Sequence, residues 1–365
     1  MTQLQKEAIW TSKWRCPSNI ALVKYWGKRD FQKPMNQSLS FVLQNSFTET
    51  SVDLYLGGDQ KVEFYFEGLP STFNERIENY LAQVAIRMHW IEKYNFRIHS
   101  RNSFPHSAGI ASSASSFGAL ALCLAELHFA ISGKAPDTPK LWRKASELAR
   151  LGSGSACRSI YPGFSIWGNA QLFESCSDDY AIPLYEGISP LFYSLRDAIL
   201  IVDPGIKEVS SSRGHSLMNE HIYQPSRIAQ AHQNINELYL ALLTGNKENF
   251  IAVVESEALS LHALMMTSNP SYLLLKPNTL ELISRIRKFR EMAQIPVCFT
   301  LDAGPNIHLL YFKKNEPEVK AFIESELLGF CENQHWIDDC IGKGPERILN
   351  IGDINQKDNH LNLEP

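Results

Sequence analysis

Phe104-Pro-His-Ser-Ala-Gly-Ile-Ala-Ser-Ser-Ala-Ser-Ser-Phe117 is the stretch on which the reading of this chain turns. Upstream of it, Tyr94, Phe96 and Ile98 alternate as a strand does. Downstream, Phe117–Ile131 is apolar almost all round, as a buried helix is, and Gly133 marks its end. Between them stand Ser107, Ala108, Gly109, Ala111, Ser112, Ser113, Ala114, Ser115 and Ser116. Side chains this small let backbone N–H groups approach an anion, and a helix N-terminus adds positive potential. Serine hydroxyls can donate to phosphate oxygens or help hold a metal ion. The same composition also suits a plain serine-rich helix cap. The stretch has no lysine, so it is not the Gly-x-x-x-x-Gly-Lys-Ser/Thr loop, and it lacks Gly-x-Gly-x-x-Gly.

The chain around it has 365 residues, enough for one large domain or two ordinary ones. With 44% apolar and 20% charged residues its composition is that of a soluble globular protein. A net charge of −4, from 35 basic and 39 acidic residues, gives no broad electrostatic case for nucleic acid. Met1–Trp10 lacks the apolar core of a signal peptide. Phe117–Ile131, interrupted by Glu126 and His128, is short for a membrane span and reads as a core helix, so no membrane partner is expected. The seven cysteines are scattered without a Cys-x-x-Cys pair, which suggests neither a zinc cage nor a disulfide framework. A reducing, cytoplasmic location is the expectation.

Hydrophobic spacing predicts strands over Arg15–Trp26 and Ser38–Leu43. It also predicts a hairpin in which Val52–Leu56 and Val62–Phe66 are joined through Gly57-Gly58-Asp59. Ile77, Leu81, Val84 and Met88 recur at helical spacing. A helix capped at Thr138-Pro139 ends at Gly152, and Gly163–Trp167 reads as a strand. The weakly periodic segment Asp178–Arg196 places a domain junction near Pro190, dividing the chain into 1–190, 191–344 and a loosely held polar tail, 345–365. In the second part a strand at Ala198–Val202 leads to a polar loop, Lys207–Gly214. Helices follow near Pro225–Leu243, Lys247–Leu264, Asn278–Met292 and Glu316–Leu328. Val297–Leu301 and Ile307–Phe312 read as paired strands. Strands and helices mix without regular alternation, which predicts an α+β fold rather than a doubly wound sheet.

Four glycine-punctuated stretches carry candidate chemistry. Pro17-Ser-Asn-Ile-Ala-Leu-Val-Lys-Tyr-Trp-Gly-Lys-Arg-Asp30 sets Lys24, Lys28 and Arg29 beside Tyr25 and Trp26, although such lysines are often only solvated. The serine stretch is the second. Gly152-Ser-Gly-Ser-Ala-Cys-Arg158 combines hydroxyls, flexible backbone and an arginine able to grip an oxyanion bidentately, or is merely a helix C-terminal loop. Thr300-Leu-Asp-Ala-Gly-Pro-Asn306 puts an acid, Asp302, on a turn between apolar strands, where an aspartate is often just a turn former. Asp178 falls outside all four and reads as solvated surface.

Together these stretches resemble the GHMP kinase superfamily and, within it, the mevalonate diphosphate decarboxylase family. Pro17–Asp30 looks like the N-terminal signature, Ala108-Gly-Ile-Ala-Ser-Ser-Ala114 like the ATP loop, and Gly152–Ser159 and Asp302–Asn306 like the two substrate-site signatures. Val209-Ser-Ser211 is similar to a further substrate loop. The match runs in order from about Arg15 to Phe312.

The resemblance implies a GHMP kinase-like fold. Its N-terminal, ATP-binding half is like the second domain of ribosomal protein S5, and its C-terminal half is ferredoxin-like. It also implies ATP and Mg²⁺, a homodimer, and conversion of (R)-mevalonate 5-diphosphate to isopentenyl diphosphate, ADP, phosphate and CO₂ through phosphorylation of the 3-hydroxyl. On that resemblance Asp302 handles the hydroxyl proton, Lys24 keeps Asp302 ionised, and Arg158 with Asn19 holds the carboxylate. Tyr25, Lys28, Ser153, Ser155 and Ser211 hold the diphosphate. Gly109, Ala111, Ser112 and Ser113 hold the ATP phosphates, with Ser112 or Ser113 a candidate for Mg²⁺. His106, Ser115 and Ser116 depart from the usual ATP loop, and Arg213 follows three serines where some relatives have two. A mevalonate 5-phosphate decarboxylase, a 3-kinase, and a non-catalytic ATP sensor on the same fold are the competing readings.

Overall fold

Val52–Leu56 and Val62–Phe66 do not form the expected hairpin: the strand Tyr94–Asn102 lies between them. The computed structural model in which this is seen describes residues 7–57, 61–71, 73–105, 110–169, 173–205 and 209–348, without the side chains of Ser211 and Ser212. The first part of the chain forms β1 (Trp10–Val23), β2 (Ser38–Leu56), β3 (Val62–Phe66), β4 (Leu69–Pro70), α1 (Asn74–Ala85), β5 (Tyr94–Asn102), α2 (Ser112–Ile131), α3 (Thr138–Gly152), β6 (Phe164–Trp167) and β7 (Ala181–Leu184). The second part forms β8 (Leu195–Leu200), α4 (Ser211–Ser216), α5 (Gln224–Thr244), α6 (Lys247–Met266), α7 (Pro277–Ala293), β9 (Cys298–Thr300), β10 (Ile307–Phe312), α8 (Glu316–Phe322), β11 (Trp336–Cys340) and β12 (Glu346–Arg347).

The first sheet runs β12-β1-β2-β5-β3-β4, with β6 on β2 and β7 on β6. β3 pairs parallel with β5, so α1 is the crossover between two parallel strands. The local turn signal at Gly57 could not reveal this. The apolar stripe of Ile77, Leu81 and Val84 needs a sheet to cover, and the crossover supplies it. Gly58 and Asp59 lie outside the described residues. The two strands read at Ser38–Leu43 and Val52–Leu56 are one strand of 19 residues. It changes partner midway, Ser38–Phe41 pairing with β6 and Thr48–Leu56 with β5. The exposed Gln44 and Asn45 mask its continuity in the sequence. Their backbone N–H groups donate to Asp339 Oδ1 at 2.9 and 2.8 Å instead of to a strand.

α2, 20 residues long, is apolar and long enough to cross a membrane, but it is wrapped by β1, β2 and α3 as a core helix. α3 is capped by Asp137 rather than Thr138, the Asp137 carboxylate accepting from Lys140 N at 2.9 Å. The second sheet is antiparallel, in the order β11-β8-β10-β9. Within the stretch read as a polar loop, Ser210 caps α4, its hydroxyl accepting from Arg213 N. The start of the supposed tail is held: Glu346 and Arg347 pair with Arg15 and Trp14, and Arg347 meets Glu126. An apolar cluster containing Ile20, Leu39 and Phe41 together with Phe192, Leu238 and Val253 joins the two parts.

Candidate active site

The four glycine-punctuated stretches converge on one cleft of about 490 Å³. Asn19, Lys24, Tyr25, Lys28, Ala111, Ser112, Ser113, Ser153, Ser155, Arg158 and Asp302 all line it. Gly109 and His106 lie outside the described residues, as does the side chain of Ser211, whose neighbour Ser210 lines the cleft.

Lys24 leaves the end of β1 with its ammonium in the cleft and its backbone locked. Its Nζ donates to Asp302 Oδ1 at 2.9 Å, although Lys24 is only 2% exposed. Its N–H donates to Glu257 Oε2 at 2.8 Å, and its carbonyl accepts from Asn36 Nδ2 at 2.9 Å and Arg227 Nη2 at 2.8 Å. Glu257, fully buried on α6, also accepts from Arg227 Nη1 and Nη2, each at 2.7 Å, and from Asn234 Nδ2 at 2.6 Å. Five residues further along α6, His262 Nε2 meets the Asp302 carbonyl at 3.1 Å. One helix therefore fixes both ends of the Lys24–Asp302 pair.

Arg158 is buried opposite. Its Nη1 donates to Ser38 Oγ, while its Nε has no hydrogen-bond partner among the described residues. Burial pulls its guanidinium below the ordinary range, opposed by Cys157, Asp302 and Tyr25, and an arginine stays cationic under such a shift. Beside it Asn19 Nδ2 donates to Ser159 Oγ at 2.8 Å and Ser155 O at 3.1 Å, leaving a buried, unpartnered Oδ1. A buried guanidinium nitrogen and a buried amide oxygen, both without a partner among the described residues, suit a ligand with both acceptor and donor atoms. The glycines here are required by close approach. A Cβ on Gly152 would stand 2.0 Å from the Phe117 ring, and one on Gly154 would stand 2.8 Å from the Tyr25 hydroxyl.

Ser112 and Ser113 open α2 and line the cleft, at the end of the helix where the first N–H groups have no intrahelical partner. Ser113 Oγ lies 3.2 Å from Ser153 Oγ, linking the serine loop to the Gly-Ser-Gly loop. Ser115 and Ser116, the unusual pair, turn away: Thr48 Oγ1 lies 2.7 Å from Ser115 Oγ and 3.4 Å from Ser116 Oγ, anchoring the helix start to β2.

The mouth is cationic. Lys28 is pulled below its usual range by burial and then by Arg76, which is itself lowered by burial and lies over the Phe117 ring at 4.9 Å. Burial raises the Tyr25 phenol, which stays protonated and able to donate. Among the described residues no group of three His, Cys, Asp or Glu side chains forms a metal cluster.

Sequence reasoning missed Asn36, Arg76, His215, Arg227, Glu257 and His262. Glu257 and Arg227 did leave a signal. Glu257 sits on the stripe Val253, Val254, Ala258, Leu261, and Arg227 on the stripe Ala231, Ile235, Leu238. Opposite charges on the apolar faces of consecutive helices are expected to pair. Asp178 is a correction: it is not free surface but accepts from Arg29 Nη2 at 2.6 Å and Asn169 N at 2.9 Å, bracing the Gly27–Asp30 turn. Arg213 is exposed and outside the cleft lining.

Residues 16–178 match the diphosphomevalonate decarboxylase-like N-terminal domain, and residues 198–356 match the mevalonate 5-diphosphate decarboxylase C-terminal domain. The diphosphomevalonate decarboxylase of Candida albicans is 30% identical over 324 residues, covering 84% of this chain and 86% of the relative. A phosphomevalonate decarboxylase of Haloferax volcanii is 29% identical over 301 residues, covering 79% and 84%. The crystal structure of mevalonate diphosphate decarboxylase from Staphylococcus aureus gives a TM-score of 0.80 at 30% identity, covering 93% of this chain and 98% of that one. A structure described as MDDEF in complex with MVAPP, AMPPCP and magnesium gives 0.79 at 27% identity, covering 93% and 99%. The α+β fold is thus GHMP kinase-like. The chain belongs to the mevalonate diphosphate decarboxylase family.

Proposed function

We propose that this chain catalyses the ATP-dependent decarboxylation of (R)-mevalonate 5-diphosphate to isopentenyl diphosphate, ADP, phosphate and CO₂. The observation that carries the reading is the Lys24–Asp302 pair, 2.9 Å apart, in the same cleft as buried Arg158 and the serine-lined start of α2. Asp302 accepts or orients the proton of the 3-hydroxyl, and Lys24 keeps its carboxylate ionised. Arg158 and Asn19 hold the substrate carboxylate so that its bond to C2 is aligned with the departing 3-phosphate. Tyr25, Lys28, Ser153, Ser155 and Ser211 take the diphosphate. Gly109, Ala111, Ser112 and Ser113 receive the nucleotide phosphates. Mg²⁺ would neutralise charge on those phosphates, with Ser112 or Ser113 as its protein contact. The acceleration comes mainly from placement and charge stabilisation.

A coupled assay of ADP and CO₂ with mevalonate, its 5-phosphate and its 5-diphosphate tests this. CO₂ from the diphosphate is expected. CO₂ from the monophosphate alone would favour the reading suggested by the Haloferax volcanii relative. ADP without CO₂ would mark a 3-kinase. ATP binding with no turnover on any of the three would mark a sensor. The same reading carries a cytoplasmic homodimer, and sedimentation showing monomer alone would remove the dimer.

A further inference from the structure

The cleft holds a titratable ring that none of the four sequence motifs includes. His215, on α4, packs against Tyr25 with ring centroids 4.3 Å apart and against Trp26 at 4.6 Å. Its Nδ1 accepts a hydrogen bond from Gly27 N at 3.0 Å. An imidazole nitrogen that accepts carries no proton, so the neutral ring keeps its proton on Nε2. The ring lines the cleft, no described residue receives a hydrogen bond from Nε2, and Nε2 is not among the buried orphaned atoms. Burial, then Lys28, then Arg158, push the imidazole from its ordinary 6.5 down to about 3. His215 is therefore neutral across the physiological range and a poor base there.

We propose that His215 is a substrate-binding residue: its Nε2–H donates to an anionic oxygen of the terminal phosphate of the substrate diphosphate. The assignment rests on the function proposed above and goes beyond it. Lys28, at the same Gly27 turn, supplies charge without direction. The sandwiched imidazole supplies direction without adding another cation to a cleft that already holds Lys24, Lys28, Arg76 and Arg158. Tyr25, against which the ring packs, belongs to the same diphosphate group.

Isothermal titration of mevalonate 5-diphosphate, mevalonate 5-phosphate and ADP into wild type, His215→Phe and His215→Gln tests it. Phenylalanine keeps a flat ring between Tyr25 and Trp26 but removes the donor, and glutamine restores a donor. His215→Phe is expected to weaken diphosphate binding about 10-fold or more, as for the loss of a hydrogen bond to a charged group. Monophosphate and ADP binding should change far less, and His215→Gln should recover part of the loss. In steady-state assays over a range of diphosphate concentrations, KM should rise more than kcat falls. Nitrogen NMR of labelled histidine should find the Nε2–H tautomer at neutral pH and a shifted Nε2 proton on adding diphosphate. Equal diphosphate affinity in wild type and His215→Phe overturns the assignment. Equal weakening of all three ligands also overturns it, since the ring would then only support the turn. Wild-type protein that binds neither mevalonate ester refutes the functional reading instead, a distinguishable failure.

Discussion

Replacing Glu257 by glutamine preserves volume and removes one charge from the centre of the fold. Each carboxylate oxygen accepts two hydrogen bonds: Oε1 from Arg227 Nη1 and Asn234 Nδ2, and Oε2 from Lys24 N and Arg227 Nη2. Whichever way the amide is turned, its NH₂ group faces two donors, and Arg227 keeps a buried charge without a counterion. Losing one partner of such a pair costs about 3–5 kcal/mol, roughly 10²- to 10⁴-fold in the folding equilibrium. The control is Glu281→Gln, which breaks a half-exposed pair with Arg285 at 2.8 Å on α7 and should cost under about 1 kcal/mol. Urea unfolding followed by circular dichroism reads the difference. Turnover is then measured at a temperature where both variants are folded. Glu257→Gln should lose activity toward about 10²-fold, because the Lys24 backbone is no longer pinned and small misplacements of reacting groups are costly. Identical unfolding curves for the two variants would refute the clamp as a determinant of stability, and equal turnover would refute it as a determinant of placement.

Asp302→Asn should lower turnover by at least ~10²-fold while substrate affinity changes little, and near-normal turnover at saturating substrate would make Asp302 a turn residue. Arg158→Lys keeps the charge and loses the planar fork, so decarboxylation should fall strongly in single-turnover assays. Gly152→Ala forces a methyl into the Phe117 ring and should cost about 1–3 kcal/mol in thermal unfolding. His215 has a folded pKa of about 3 against an ordinary 6.5, so the unfolded chain binds the extra proton between these values. Its contribution to stability is complete above pH 6.5 and is lost as pH falls toward 3. His215→Phe should therefore lose stability less steeply than wild type over that window, measured by urea midpoints at several pH values.

Much of this site was legible because its residues come in short glycine-marked runs whose chemistry is local. Lys24, Arg158 and Asp302 each sit beside the backbone feature that aims them, and a reader of the sequence meets residue and feature together. The frame around them was harder to read. The hairpin signal at Gly57 was a local one, but strand partners are chosen by which faces need cover, and α1 required β5 to intervene. Gln44 and Asn45 hid the length of β2 because Asp339, 295 and 294 positions away, satisfies their amides. Asp178 was misread for the same reason, its partner Arg29 being 149 positions distant. His215 was passed over because its value lies in the hydrogen bond from Gly27, and spacing alone cannot assign a tautomer.

The clamp on Lys24 has a consequence for recombination. Lys24 follows directly on β1 of the first sheet, yet its amide, carbonyl and ammonium answer to Glu257, Arg227 and Asp302, all beyond residue 200. A chimera joined near Pro190, where exchanging halves between relatives looks most natural, would separate Lys24 from every one of these partners. Such a hybrid would inherit a complete serine loop and a complete second sheet, yet its lysine–aspartate pair would be matched only where the donor supplies these partners. Working hybrids should be those whose donor carries the Arg227–Glu257 pair in the second half, or whose first half supplies a Lys24 that does not depend on it. The unit that can be exchanged here is the clamp with its lysine, and its residues come from far-apart stretches of the chain.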